Sequence, residues 1–360
     1  DFKKIQIENK NDTKFSNDIS NSLIEFKRLY FSEISEEDAN ELSQLIDYYS
    51  KKILEDELYL FDYNLAVNNL STYYALKKDY SKSIELYEKA IDLLNSSKTF
   101  SNDGDQILYL YDRLLSISNL FSPENIITYL SPILEIIKKN NLEFSLRATS
   151  IYTSIGKGLL LLGNRDDSYF YLFKALRNEE MDEDRSNVYP LIINYLIENY
   201  LTEKKFSEVE ILIEKLNIYK DKNYDSKSIG LTDYYLILSK VYLFKGEFEK
   251  SILYYDSLYM NTNDLTTQYY SSNNLLYSFA NAFVSGDVDK SIELIKNDES
   301  DGSLFLFWLY FLKKDYSNAF NFYYDYLNNI IQTFNSKILT LSDVEKRSVF
   351  SSNMLDILSS

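Results

Sequence analysis

The chain has 360 residues and carries 55 acidic against 38 basic side chains, which gives a net charge of −17 at neutral pH. So acidic a protein repels phosphate groups, and no cluster of Lys and Arg offsets the charge, so we expect neither nucleic acid nor an anionic membrane as a direct partner. The sequence contains no His and no Cys, which excludes thiol nucleophiles, Ser–His and Cys–His pairs, His or Cys zinc sites and disulfides.

Few residues that break regular structure interrupt the chain, with 3 Pro and 8 Gly in its whole length. So few turn residues disfavour an all-β fold and favour helices. A single core stops growing at about 250–300 residues, and stacked helical units avoid that limit because each packs only on its neighbours. No apolar run reaches the roughly 18 residues that span a bilayer. We expect a cytoplasmic protein; a secreted or periplasmic scaffold that lost its leader before Asp1 is the alternative.

Residues 1–57 are expected to form helices that cap the rest of the array. Apolar residues recur on one face over 18–31, which predicts a first helix. Ser35 is a candidate N-cap for a second helix, with Asp38 three residues later as an acidic variant of the capping box.

The clearest structural unit is a pair of short helices over 233–258. Small residues, Ser239 on the first helix and Ser251 on the second, would let the two helices approach closely. Gly246 between them can adopt the left-handed conformation that closes a helix. Three aromatic residues then wedge between this pair and the next: Tyr242, Phe248 and Tyr255.

The same pattern recurs along the chain, and the residue that follows each turn between paired helices marks its copies. These residues are Tyr80, Asn125, Arg165, Phe206, Phe248, Val288 and Tyr316. The predicted pairs cover 58–94, 107–139, 143–177, 189–216, 233–258, 269–296 and 304–334. Residues 95–105 read as a loop, and Pro132 should kink or end the helix that contains it.

The order of residues in each copy resembles the tetratricopeptide repeat (TPR). In the first helix an aromatic residue is followed by Leu, a small residue and Tyr, and after the turn the second helix has an aromatic, a small and a second aromatic residue. That resemblance implies an all-α, TPR-like superhelical solenoid of antiparallel helix pairs over 58–336. Polar residues on first helices would line its concave face, where Asn pairs with a peptide backbone and Tyr offers amphipathic surface. The candidate partner-binding residues are Asn69, Tyr73, Asn194, Asn199, Tyr234, Asn273, Asn274 and Tyr277. Solvated surface and inter-helix packing are the alternative interpretation of each.

Two further segments stand out. Residues 179–184 (EEMDED) could attract Ca²⁺ or a basic partner, but they lack the spacing of a calcium loop, so a solvated loop is the preferred interpretation. Residues 304–312 (LFLFWLYFL) are apolar on every side, which requires cover from a later helix or from another domain. Trp308 and Phe307 are therefore candidate interface residues, as are Phe350 and Met354 near the end of the chain.

Residues 337–360 depart from the repeat. Ser342 and Glu345 form a capping box that begins a non-repeat C-terminal helix. The order Leu339-x-Leu341-Ser342-x-x-Glu345-Lys346-Arg347-x-x-Phe350 resembles the segment that joins TPR arrays to the caspase-like CHAT domain in bacterial TPR–CHAT proteins.

That resemblance implies the sensing or regulatory part of a larger peptidase, without its catalytic domain. The catalytic His and Cys of that family have no counterpart in this chain, so we expect no enzymatic activity, no metal and no cofactor from it. The expected partner is a protein or peptide segment, including a C-terminal protease domain. The alternative is a stand-alone TPR sensor of peptides or a module of a signalling receptor.

Overall fold

The computed structural model describes residues 24–25, 34–54, 56–97, 104–181, 186, 188–223, 230–261, 271–296 and 302–338. Fifteen α-helices and one 3-10 turn, Glu57–Tyr59, lie in these ranges, which contain no strand. The first seven are α1 Glu36–Lys52, α2 Leu60–Leu76, α3 Tyr80–Ser96, α4 Gly104–Phe121, α5 Asn125–Lys139, α6 Leu146–Leu161 and α7 Arg165–Glu180. The others are α8 Tyr189–Thr202, α9 Phe206–Asn223, α10 Gly230–Phe244, α11 Phe248–Asn261, α12 Ser271–Ser285, α13 Val288–Lys296, α14 Ser303–Leu312 and α15 Tyr316–Ile338.

The chain divides into two compact units, one up to Val188 and one from Tyr189. In the first unit, α1 packs on α2, and three hairpins follow: α2 with α3, α4 with α5, and α6 with α7. The first helix of each hairpin also packs beside that of the next, most extensively α4 beside α6. In the second unit the hairpins are α8 with α9, α10 with α11, α12 with α13, and α14 with α15.

The predicted helix starts are confirmed. All seven residues expected to follow a turn, from Tyr80 to Tyr316, are the first residues of second helices. The turns close as expected: Gly246 has φ +74°, and the backbone N–H of Glu247 donates to Tyr242 O at 2.8 Å. Lys78 has φ +61° at the equivalent position in the turn between α2 and α3. There the backbone N–H of Asp79 donates to Tyr74 O at 2.8 Å, and hydrogen bonds of this kind outweigh the modest strain of a lysine in the left-handed conformation.

Small residues bring the paired helices together, as the sequence predicts. The Ser251 hydroxyl donates to Ser239 O at 2.8 Å. Two other hairpins repeat the contact at the same 12-residue separation, with the Ser168 hydroxyl 2.7 Å from Gly156 O and the Ser71 and Ser83 hydroxyls 2.5 Å apart. Each serine is buried, so the contact both satisfies its hydroxyl and sets the helix separation.

Two local predictions have different outcomes. Ser35 caps α1 through the expected capping box, since the Asp38 N–H donates to its hydroxyl and its own N–H donates to the Asp38 carboxylate. Pro132, however, does not end α5, which continues to Lys139. Proline removes only one hydrogen bond of the helix, and the buried Ile126, Ile133 and Ile137 hold the helix on both sides of it.

A larger side chain in place of one of the small residues that meet between paired helices should destabilise the protein. We expect Ser83→Leu to lower the free energy of unfolding by about 1–3 kcal/mol, because a leucine cannot fit where two helices meet at a pair of hydroxyls. Chemical denaturation monitored by circular dichroism measures the loss. Ser81→Leu, on an exposed position of the same helix turn, is the control and should change stability by no more than about 0.5 kcal/mol. Equal losses in the two variants would contradict the packing argument.

Candidate functional site

A pocket of about 410 Å³ lies among the first helices of the three hairpins in the first unit. Its walls come from the 3-10 turn and from α2, α4 and α6, and we call it the first-helix pocket. The lining residues are Glu57, Leu60, Phe61, Asn64, Leu65, Gln106, Tyr109 and Arg147.

Asn64 lines this pocket and has an unused hydrogen-bond acceptor. Its side chain is only 5% exposed, and its Nδ2 donates to Gln106 Oε1 at 3.2 Å, which links α2 to α4. Its Oδ1 is buried and has no hydrogen-bond partner. A buried acceptor without a partner costs about 1–3 kcal/mol, so a donor that reached Asn64 Oδ1 would recover that free energy.

Arg147, at the start of α6, lines the same pocket and has an unused donor. Its Nε is buried and has no hydrogen-bond partner. The guanidinium lies 4.9 Å from the ring centroid of Tyr109, and Nη1 is 3.7 Å from Asp112 Oδ2. Arg113 contacts the same tyrosine ring at 5.3 Å. The guanidinium is thus held by a ring and a carboxylate while one of its N–H groups stays free.

Asp112 anchors this arrangement from α4. It is buried, and it accepts a hydrogen bond from the Ser150 hydroxyl of α6 at 2.8 Å. Burial raises the pKa of the Asp112 carboxyl, whereas the Ser150 hydrogen bond and the charges of Arg113 and Arg147 act in the opposite direction. Two contacts therefore tie α4 to α6 directly behind the pocket and fix the position of Arg147.

The exposed side chains of the pocket include an aromatic ring and a carboxylate. Phe61 on α2 is 75% exposed and stands beside Asn64, while Glu57 at the preceding turn is also exposed. The pocket is therefore lined by two residues that each hold a buried polar atom without a partner, Asn64 and Arg147, and by the exposed ring of Phe61. Such groups suit non-covalent binding of a polar chain with apolar side chains. Within the described residues, no group of three or more acidic side chains could hold a metal ion.

None of the residues predicted to bind a partner lines this pocket. Asn69 and Tyr73 do lie on a first helix, α2, but Asn69 is fully buried and neither of its amide atoms has a partner. Tyr73 is half-buried, and its ring meets that of Tyr74 edge to face at 5.4 Å. Burial removes Asn69 from any accessible surface of the unit and places it in the core between helices.

The second unit holds the other predicted residues. Asn199 is fully buried, and Tyr234 is buried with its hydroxyl donating to Asn217 Oδ1 at 2.7 Å, so both belong to helix packing and not to an open surface. Burial raises the pKa of Tyr234 to about 12. Asn194 is half-buried and its amide donates to Glu198 Oε1 at 3.3 Å.

On α12, Tyr277 stacks on Tyr255 of α11 at 4.5 Å, which makes it an inter-helix wedge. Asn273 and Asn274 lie on the same helix, but their side chains are outside the described residues.

The apolar helix α14 is covered on one side only by the described residues. Leu306, Leu309 and Tyr310 form a core with α12, α13 and α15, and Phe307 packs at its margin. Trp308 is 37% exposed. The other two candidate interface residues, Phe350 and Met354, lie outside the described residues, as does the predicted C-terminal helix beyond Ile338.

Sequence reasoning missed the residues of the first-helix pocket. Phe61 and Asn64 precede the repeat pattern on α2, and Gln106 and Tyr109 lie on the pair that departs most from it. One feature of the sequence could have indicated the site: Arg147 is one of the few basic residues at the start of a first helix, in a strongly acidic chain.

Comparison with protein-family models and with curated proteins gave no match. Among solved structures, the crystal structure of BtubC (BKLC) from P. vanneervenii is similar, with a TM-score of 0.50 and 16% identity over 62% of this chain and 89% of that one. At this identity the likeness concerns the fold alone, and it agrees with an all-α, solenoid-like array of helical repeats. In the part of the chain that the structure describes, no helix has both the length and the apolar character needed to cross a membrane.

Proposed function

We propose that the protein is an interaction module of TPR-like repeats, and that its first-helix pocket binds an extended peptide segment of a partner protein. The recurring contact between small residues of paired helices supports the TPR-like arrangement. The binding proposal rests on one observation, the unpaired acceptor of Asn64 and the unpaired donor of Arg147 in the same pocket. A peptide group carries one N–H and one C=O, so an extended segment can satisfy both.

Binding, and not catalysis, is the role that this pocket favours. Its polar groups are amides, a tyrosine, a glutamate and a guanidinium. Nothing among them forms the pair of nucleophile and base that acyl transfer requires. The strong negative charge of the whole chain further favours a protein partner over nucleic acid or membrane, and the proposed location is the cytoplasm.

In a larger setting, we propose that the module serves as the sensing or regulatory part of a TPR–CHAT peptidase. The resemblance of residues 339–350 and the exposed Trp308 on the last hairpin support this setting. The alternative is a stand-alone peptide sensor. The reading frame beyond Ser360 distinguishes them, since a caspase-like domain with a His and a Cys would support the peptidase and a stop codon would support the sensor.

Peptide selection tests the binding proposal. A library of random twelve-residue peptides displayed on phage, selected on the purified protein, should yield peptides of micromolar affinity by fluorescence anisotropy. Arg147→Met should weaken them at least tenfold, because it removes the free donor and retains a stem of similar length.

Arg113→Met is the matched control, since it removes an equal charge beside the same Tyr109 ring from a residue that does not line the pocket. It should change the affinity by less than threefold. Failure to enrich any peptide, or equal losses in the two variants, would overturn the proposed function.

A further inference from the structure

A second pocket, of about 260 Å³, lies in the first unit where α7 ends and α6 begins. Three exposed apolar side chains surround its opening: Phe144 just before α6, Leu146 on its first turn, and Met181 just after α7. Exposed apolar residues are ordinary when scattered, but three around one pocket offer a continuous contact surface. We call it the α7-end pocket.

The floor of the α7-end pocket holds a buried carboxylate. Glu179 is 3% exposed, and its two oxygens accept from the backbone N–H of Ser186 at 2.7 Å and from the Ser186 hydroxyl at 2.6 Å. Among the described residues, no cation forms an ion pair with it. A carboxylate this deeply buried normally has a partner of opposite charge, because two hydrogen bonds do not neutralise it.

The hydrogen bonds around the floor determine what kind of group is missing. The Asn178 amide uses its N–H groups on Glu143 O at 2.8 Å and on Thr149 Oγ1 at 3.1 Å. The Ser186 hydroxyl and backbone N–H are used on Glu179. Each oxygen of Glu179 retains a further lone pair, and the Asn178 side-chain oxygen is also an acceptor. The floor of the pocket therefore has unused hydrogen-bond acceptors, whereas the donors of Asn178 and Ser186 already have partners.

We propose that the α7-end pocket binds the side chain of a lysine or arginine from a partner protein. The ammonium and guanidinium groups are donors only, so they match a floor of acceptors and neutralise Glu179. Their aliphatic stems match the apolar opening, where Phe144, Leu146 and Met181 would cover the methylene groups. This proposal is independent of the first-helix pocket, and the net charge of −17 favours approach of a basic partner.

N-acetyl-arginine amide and N-acetyl-lysine amide test the proposal, with N-acetyl-norleucine amide as an uncharged probe of similar stem. Binding is measured on the full chain by saturation-transfer NMR and calorimetry. We expect millimolar affinity for the cationic probes and at least tenfold weaker affinity for norleucine. Glu179→Gln should weaken the cationic probes at least tenfold, and Phe144→Ser at least threefold.

Glu180→Gln is the matched control, since it removes the same charge from the neighbouring exposed position of α7. It should alter affinity by less than twofold. Equal losses in Glu179→Gln and Glu180→Gln would overturn the proposal in favour of diffuse attraction to an acidic helix end. So would norleucine binding as tightly as arginine. If Glu179→Gln fails to fold, the test rests on Phe144→Ser, a change at an exposed position. Unchanged affinity of that variant for the cationic probes would refute binding at the α7-end pocket.

Discussion

Replacing Asn64 by leucine should weaken the selected peptides at least tenfold while raising the melting temperature of the protein. Leucine matches asparagine in branching and in number of side-chain heavy atoms, so the change removes a buried acceptor without a partner and creates no cavity, and the adjoining pocket leaves room for the bulkier methyl groups. Removing that acceptor gains about 1–3 kcal/mol, and losing the bond to Gln106 costs about 0.5–1.5 kcal/mol. Gln106 is only half-buried and can turn to water. The expected gain is about 1 kcal/mol, or roughly 2–4 °C in the melting temperature of the first unit.

Asn69→Leu is the matched control for this prediction. Asn69 lies on the same helix, is fully buried, and has no partner for either amide atom, but it does not line the pocket. It should leave peptide affinity unchanged. Calorimetric unfolding and fluorescence anisotropy on the two variants measure both effects. Unchanged peptide affinity in Asn64→Leu would refute the pocket as the binding site, and a lower melting temperature would contradict the expected gain in stability.

The second prediction concerns Gly156, where α6 and α7 approach closely. A Cβ added at this position would lie 2.6 Å from Leu172 Cγ, 2.7 Å from Cδ2 and 3.3 Å from its backbone nitrogen. The leucine side chain is fully buried and the backbone cannot retreat alone. Alanine in a helix is favoured over glycine by up to about 1 kcal/mol, but overpacking costs about 1–3 kcal/mol. We expect Gly156→Ala to lower the free energy of unfolding.

A double-mutant cycle with Leu172→Ala separates the clash from other effects. Leu172→Ala alone should cost about 2–5 kcal/mol, because it leaves a cavity in the core. In its presence Gly156→Ala should cost nothing or stabilise, so the two losses should be less than additive by at least about 1 kcal/mol. Denaturant unfolding of the four proteins measures this coupling. Strict additivity would show that the close approach of α6 and α7 does not depend on glycine.

Helix pairing could be predicted because its signals are local. The turn after Tyr242 needs only a residue that tolerates positive φ and a new apolar face, and both are visible within a few residues. Ser239 and Ser251 meet because they lie at matched distances from that turn. The same reasoning located the starts of the second helices without any knowledge of long-range contacts.

Burial on first helices could not be predicted in the same way. Each first helix packs against its own partner and against neighbouring first helices, so more than one of its faces is covered. The spacing of apolar residues along the helix therefore does not show which polar side chains stay exposed to solvent. Asn69 and Asn199 therefore have the spacing of surface residues but lie in the core. Tyr277 is likewise a wedge against Tyr255.

The sequence by itself determined the all-α class, the helix pairs and the small-residue contacts within them, because these depend on residues a few positions apart. Only the tertiary structure decided the two pockets. Asn64 meets Gln106 across 42 positions, and Asp112 meets Ser150 across 38. Glu179 became a buried carboxylate, and not part of a solvated acidic loop, through its contacts with Ser186. Such contacts depend on how separate helices stack, and stacking is set by packing over whole helix faces that no local pattern records.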